Sequence, residues 1–315
     1  MSRPGYLALD IGGTKVAMGL GNSQGKFLAQ ETCPFRFPRG PQELLRTIRE
    51  FLNRHSKHRP RAFGLGICGP VSPYTGFLYN PPNLPKSWHR RSLRAILQEG
   101  LRIPGRVDND VNLAAWGEAW KGWGAQGIKS FMMVCPGTGL GGGLVLESQL
   151  IRGSHGFAAE IGHALVDPRG PKCGCGLKGC VEAYASGTGL AKLARRYIGQ
   201  KLDGVELHRL ALRGHRTAKK IFREAGKALA ITCANAMNLL DVEAFIFGGS
   251  VTKSFSLWGP EFKRQFFARL ISPVRPKILI SKLGTQAGLL GALRLAIESS
   301  RSKVPACPAG RQGHE

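Results

Sequence analysis

Apolar positions come in short runs broken by glycine at the start of each half of the chain. In "YLALDIGGTKVAMGLGNSQGKFLAQETC" the runs at 6–11 and 16–20 flank one glycine turn, and "NSQG" at 22–25 supplies another, so strand–turn–strand–turn–strand is expected. The period then changes. Leu44, Leu45, Ile48, Phe51 and Leu52 recur at helical spacing across 42–56. "AFGLGIC" at 62–68 reads as a buried strand ending in the turn "GPVSPYTG", a Pro/Asn loop follows at 80–88, and a helix begins within 109–122. The stretch 130–147, "SFMMVCPGTGLGGGLVLE", repeats the opening strand–turn–strand in pattern though not in letters. Helices are expected around 181–197 and 217–239, a strand at 243–247 running into "GGS", and a last helix at 286–298. Residues 299–315 show no periodicity and read as a disordered tail. Strands mixed with long helices indicate an α/β protein, and the two similar openings indicate two related domains.

Composition narrows this. With 315 residues, 43% apolar and 21% charged, the chain has globular values and room for two cores. No apolar run approaches the ~20 residues that span a bilayer, and "MSRPGYLALDIGGTK" has neither a secretory apolar region nor a cleavage site. A cytoplasmic protein without membrane contact is expected. Its eight cysteines should then be reduced, which turns a tight thiol cluster toward metal. The formal charge of +25 is spread over 36–61, 86–102 and 192–223. That fits a solvated cationic surface; it also allows weak, salt-sensitive contact with nucleic acid and a field that attracts anions such as ATP. No helix-turn-helix precedes the first motif and no basic ladder carries interleaved aromatics, so no specific nucleic-acid partner is expected.

The densest chemistry lies in "CGCGLKGCVE" at 173–182. Cys173, Cys175 and Cys180 put three thiols in one short loop, with Gly174, Gly176 and Gly179 letting the backbone fold around an ion. His163 is the nearest candidate for a fourth ligand. Filled by four protein groups, such a zinc site is closed and structural. Free or redox-active thiols are the other reading of the same letters. Glu160 and Glu182 flank these ligands and could accept hydrogen bonds from a polyhydroxyl substrate, or simply serve as surface or capping groups.

Two glycine loops suit phosphate: "DIGGTK" at 10–15 and "GTGLGGG" at 137–143, with Thr14, Lys15 and Thr138 as added donors. Tight hairpins would use glycine in the same way. Gly137, Gly139 and Gly142 match GxGxxG, but a strand-like "GLVLES" follows where the dinucleotide fingerprint requires a helix. There is no GxxxxGK[ST] loop. "VDNDVN" at 107–112 crowds carboxylates and amides at a strand end; Asp108, Asn109 or Asp110 could each cap a helix, and an aspartate there could equally accept a hydroxyl proton during in-line phosphoryl transfer.

Taken in order, these motifs resemble the ROK family of sugar kinases and repressors. The resemblance runs through 137–187, "GTGLGGGLVLESQLIRGSHGFAAEIGHALVDPRGPKCGCGLKGCVEAYASG", supported by "DIGGTK", "GLGICGPV" at 64–71, "NPPNLPKSW", "DNDVN" and "FGGSV" at 247–251. It spans about 6–298. It implies two actin-like, ribonuclease H-like α/β domains with an ATP and sugar cleft: residues 1–112, onto which the 286–298 helix packs back, and residues 113–285, which carry the zinc loop. Asp110 would be the general base, with Asn109, Glu160, His163 and Glu182, and more loosely Asn83, holding sugar hydroxyls. His163 would use one ring nitrogen for zinc and the other for substrate. Asp10 would approach Mg²⁺; Gly12, Gly13, Thr14 and Lys15, then Gly137, Thr138 and Gly139, would lie at the phosphates, and Gly248 and Gly249 at the adenosine. A homodimer is the expected assembly. Cys68 departs from the pattern, since a small or apolar residue is expected there.

The function so implied is ATP-dependent phosphorylation of a hexose hydroxyl, of glucokinase type. N-acetylglucosamine, N-acetylmannosamine or fructose kinases are the alternatives, and a sugar-responsive regulator is the reading from another class. The first phosphate loop begins at residue 10, so no preceding DNA-binding domain is expected.

Overall fold

The computed structural model describes residues 5–301. Strands β1 (Gly5–Ile11), β2 (Lys15–Gly21) and β3 (Phe27–Pro34) lead into helix α1 (Pro41–Arg54) and strand β4 (Pro60–Ile67). A two-residue pair, β5 (Phe77–Leu78) and β6 (Arg91–Ser92), precedes α2 (Leu93–Leu101), β7 (Gly105–Asn109) and α3 (Asp110–Lys121). Then come β8 (Phe131–Pro136), β9 (Leu140–Leu146) and β10 (Gln149–Ile151), followed by α4 (Glu182–Ala185), α5 (Gly187–Ile198), α6 (Gly204–Leu212) and α7 (Arg216–Leu240). The chain closes with β11 (Ala244–Phe247), α8 (Phe255–Phe267), β12 (Lys277–Ile280) and α9 (Ala287–Arg301).

Two compact units result. The first contains the described residues up to Gly122, the segment Arg152–Phe157 and the described residues from Gln286 onward; the second contains Trp123–Ile151 and Ala158–Thr285. Their sheets share one topology. The order β3-β2-β1-β4-β7 in the first matches β10-β9-β8-β11-β12 in the second. In each, the first three strands pair antiparallel and the last two join parallel. The repeat in hydrophobic pattern is therefore a repeat in architecture.

The expected boundary at 112/113 is corrected: it would cut α3, which instead stays whole in the first unit. The reason is packing. Gly117 of α3 approaches the Ala287 carbonyl of α9, and Gly291 of α9 approaches the Leu113 carbonyl, each too closely for a Cβ. The two backbones touch, with Leu113, Leu289, Ala292 and Leu293 buried around them. The start of the expected tail is corrected too. Ser299 lies buried inside α9, its hydroxyl donating to the Leu295 carbonyl at 2.7 Å. Residues 302–315, with Cys307, lie outside the described residues.

The helices at 42–56 and 217–239 follow their spacing; α1 buries Leu44, Ile48 and Phe51 after Pro41 in its first turn. The helix expected at 181–197 is two, because Ser186 leaves helical geometry to cap α5, accepting from the Gly189 amide. Helix α8 has no clear mark in the sequence because Pro260 and Gly259 punctuate it. Trp258, Phe262 and Phe266, four apart, bury one face and outweigh the proline. No helix among the described residues is long and apolar enough to cross a membrane.

Candidate functional site

In the first unit, Asp10 is the penultimate residue of β1, whose hairpin partner β2 begins at Lys15. The intervening turn is closed by the Gly12 amide donating to the Lys15 carbonyl at 3.0 Å, while the Thr14 carbonyl accepts from Phe35 at 2.9 Å. The amides of Gly13 and Thr14 donate to no described residue and are exposed. Asn83 lies beside this turn: a side chain at Gly13 would meet its Cβ and carbonyl at 3.4 Å. The Asp10 carboxylate sits against the first turn of α9, where a Cβ on Gly288 would come within 2.7 Å of it. Burial lifts its carboxyl to about 6, opposed by the Lys15 ammonium.

That shift carries a sign. A carboxyl whose folded pKa exceeds its unfolded value holds its proton longer in the native state, so native stability falls as pH rises from about 4 through 6. The full cost above pH 6 is about 3 kcal/mol. Asp10→Asn is therefore expected to raise the unfolding midpoint at pH 8 and leave it nearly unchanged at pH 4. Parallel thermal melts at the two pH values check this; an equal shift at both would show that charge burial is not the cause.

The β7–α3 turn carries the second group. Asn109 is the N-cap of α3: its Oδ1 accepts from Val111 at 2.8 Å and Asn112 at 3.2 Å, and its Nδ2 donates to the Gly69 carbonyl at 3.4 Å. Of the three possible caps, the fold chooses Asn109, which leaves it less capacity for a sugar hydroxyl than expected. Asp110 is the first residue of α3, and its Oδ1 accepts from Val111 at 3.0 Å. Gly66 of β4 borders both acids, with the Asp110 Cα 3.5 Å and an Asp10 carboxylate oxygen 3.7 Å from where its Cβ would be. Cys68 lies near them as well; burial, then Asp110 and Asp10, hold its thiol protonated.

Asp108, 1% exposed, anchors this turn. Its Oδ2 accepts from Arg152 Nε at 2.6 Å, and its Oδ1 accepts from the Asn109 amide at 2.8 Å and Asn112 Nδ2 at 3.0 Å. Arg152 opens the segment 152–157, which is pinned to the first unit by Tyr74 donating to the Gly153 carbonyl at 2.5 Å and by Tyr79 against Phe157. Nothing in "IRGSHG" marks that arginine; only the fold shows its partner. Removing one member of a buried pair leaves the other charge uncompensated. Asp108→Asn and Arg152→Ala should thus be coupled by more than about 1 kcal/mol in a double-mutant cycle read by denaturant unfolding. Additive single effects would show the pair to be idle.

In the second unit, the turn Gly137–Gly139 joins β8 to β9 as the first turn joins β1 to β2. It is closed by Gly137 donating to the Gly139 carbonyl at 2.8 Å, and is held from the start of α5, where Gly187 donates to the Gly137 carbonyl at 2.8 Å and the Thr188 hydroxyl to the Thr138 carbonyl at 2.9 Å. Again two amides, of Thr138 and Gly139, donate to no described residue. Gly248 and Gly249 follow β11 beside it: Gly248 donates to Val134 at 2.9 Å, and Gly249, at φ 76, passes so near the Pro136 carbonyl that a Cβ would lie 2.5 Å away.

Glu160 follows Ala159, a non-glycine residue at φ 65 that stores local strain, and precedes the single turn Ile161–His163. Desolvation lifts the Glu160 carboxyl above its ordinary range, His163 opposes this, and Glu182 adds to it. The three expected acceptors are thus electrostatic neighbours. The ligating atoms of His163, Cys173, Cys175 and Cys180 all lie within 4.8 Å of one another. His163 Nδ1 is 3.9 Å from Cys173 Sγ, and Cys175 Sγ is 3.7 Å from Cys180 Sγ. Zn–S bonds of about 2.3 Å imply tetrahedral edges near 3.8 Å, so the cluster fits zinc. Gly176 and Gly179, at φ 97 and 79, make the turns that bring the thiols together.

Glu182 has a use the sequence did not reveal. Its Oε2 accepts from the Leu140 amide at 2.9 Å and its Oε1 from Cys173 Sγ at 3.4 Å, tying the glycine turn to the thiol cluster. Each carboxylate oxygen keeps a further lone pair for a hydroxyl.

The family model of the ROK family matches residues 6–299. A glucokinase of Halalkalibacterium halodurans is 32% identical over 92% of this chain and 94% of its own. An N-acetylmannosamine kinase of Salmonella typhi is 31% identical over 92% and 97%. A ROK family glucokinase from Streptomyces griseus, solved in complex with glucose and AMPPNP, superimposes with a TM-score of 0.79 at 32% identity, covering 93% of this chain and 99% of that one. The chain belongs to the ROK family. Its paired five-stranded sheets are the actin-like two-domain fold of ROK kinases.

Proposed function

We propose that the protein is an ATP-dependent sugar kinase of glucokinase type, transferring the γ-phosphoryl group to a hexose hydroxyl. The observation that carries this is the pair of equivalent glycine turns, each ending a strand pair and each presenting two undonated amides, as a triphosphate requires. Gly12–Lys15 and Gly137–Gly139 would hold phosphates, and Gly248–Gly249 the adenosine. Asn83, Asn109, Asp110, Glu160, His163 and Glu182 would orient the sugar.

Phosphoryl transfer asks a protein mainly for alignment and charge compensation. Asp110 would accept the hydroxyl proton as negative charge develops on the attacking oxygen. Its place at the head of α3, in a turn fixed by Asn109 and by the Asp108–Arg152 pair, limits its motion. Asp10 would hold Mg²⁺, which when bound offsets phosphate charge. His163, Cys173, Cys175 and Cys180 would hold zinc in a closed, structural set. Without a cation, burial pushes the Cys173 thiol up to about 12, so the thiolate form needs an adjacent positive charge. A cytoplasmic homodimer belongs to the same reading.

Steady-state kinetics with MgATP across glucose, mannose, fructose, N-acetylglucosamine and N-acetylmannosamine test it. Glucose is expected to give the highest kcat/KM. A preference for N-acetylmannosamine would move the assignment to that branch, and failure to phosphorylate any of the five would overturn it.

A further inference from the structure

A groove of about 450 Å³ on the second unit is lined by Arg216, Lys219, Lys220, Arg223 and Lys227 of α7, with Glu224, and with Glu261 of α8. The five cations recur at i, i+3, i+4, i+7 and i+11, which places them on one face along roughly 16 Å of helix. All five are exposed, and none joins an ion pair among the described residues. The acids do not cancel them. Glu261 already accepts from Arg264 at 2.6 and 3.2 Å and from Gln265 at 2.9 Å, so its charge is matched in place. Arg223 also attracts the Glu261 carboxylate, so Glu224 and an already paired Glu261 face five positive groups, and the balance stays strongly positive.

This arrangement works against the helix that bears it. The amino end of a helix favours anions, yet α7 has no acid in its first turn and starts with Arg216. The pairs 216/220, 219/223 and 223/227 are like-charged neighbours one turn apart, which repel. Local choices that oppose local stability mark positions kept for another purpose. The lining residues also lack any aromatic ring to stack a base and any amide or hydroxyl side chain to read a base edge. The lining therefore recognises charge spaced along a line, inside a concavity that suits a thin unbranched chain better than the outer surface of a duplex.

We propose that this face of α7 binds a linear chain of bare phosphates, of the inorganic polyphosphate class. The site is separate from the glycine turns and the thiol cluster in its residues, and binding to it depends on salt through release of the counterions held by the chain.

The test uses the full-length protein and fluorescently labelled long-chain inorganic polyphosphate, followed by anisotropy between about 0.05 and 0.2 M salt. The triple variant K219Q/R223Q/K227Q is expected to bind at least about tenfold more weakly, with its log–log salt slope reduced by roughly 2–3. The control K57Q/R59Q/R61Q removes the same formal charge elsewhere and should stay within about threefold of the parent. Sugar-kinase kinetics should be unchanged in both. Because the groove substitutions relieve like-charge pairs, the unfolding midpoint should hold or rise, which separates lost binding from lost folding. Equal weakening in both variants, or no binding by the parent protein, overturns the proposal. Duplex DNA displacing polyphosphate from the groove at equal phosphate concentration also overturns it, in favour of a nucleic-acid site.

Discussion

Asp110→Asn should lower kcat by about 10²–10⁴-fold at saturating glucose and MgATP, the range that a positioned general base contributes. The substitution is nearly isosteric and keeps the oxygen that accepts from the Val111 amide at 3.0 Å, so the start of α3 should survive. What disappears is the ability to take up a proton. Sugar binding, measured by calorimetry without nucleotide, should change by no more than a few-fold, because hydroxyl recognition rests on groups that the variant retains. The split between binding and turnover distinguishes a base from a merely structural carboxylate. A kcat within tenfold of the parent would remove Asp110 from that role, and a matching loss of sugar affinity would recast it as a binding group.

Cys175→Ser should have the second large effect, on metal content and stability together. Cys175 is the exposed member of the cluster, whereas Cys173 and Cys180 are buried, so its replacement removes a ligand without opening the core. Structural zinc sites bind with apparent free energies of about 10–16 kcal/mol in isolated fingers. Only part of that range should appear here, since the loop is embedded in a larger unit. A loss of several kcal/mol and of stoichiometric zinc is the expected result, read by elemental analysis and unfolding. There is a third consequence. Glu182 lies two residues after Cys180, in the chain the cluster would hold, and it accepts from the Leu140 amide beside the second glycine turn. Loosening the cluster should raise KM for ATP along with the loss of zinc. One zinc retained per chain would contradict the ligand set; zinc loss with an unchanged KM for ATP would show that Glu182 does not couple the two features.

Legibility in the sequence followed the range of the interaction. The thiol loop, the glycine turns and the aspartates of "VDNDVN" are local: their spacing alone brings the groups near one another, and Gly176 and Gly179 mark the bends. Helices with a clean apolar stripe, such as α1 and α7, were legible for the same reason. Elsewhere distant packing overrides the local signals. Helix α8 tolerates Pro260 because its aromatic face is buried, and α3 belongs with α9 because glycines let two remote backbones meet. The choice of Asn109 over its neighbours as cap was equally invisible, since Asp108 is claimed by an arginine 44 positions later.

The amino-acid order by itself determined the family, the duplicated strand–turn–strand plan and the identity of the groups able to bind metal, phosphate and hydroxyl. These rest on short-range periodicity and on chemistry that each side chain carries wherever it lies. Tertiary structure alone decided which carboxylates are committed to the fold. Asp108 is spent on Arg152, Glu182 links a thiol to an amide, and Asp10 is pressed against α9 until its carboxyl titrates near 6. The physical reason is that hydrogen bonding and desolvation depend on neighbours far away in the chain, and no local pattern records them.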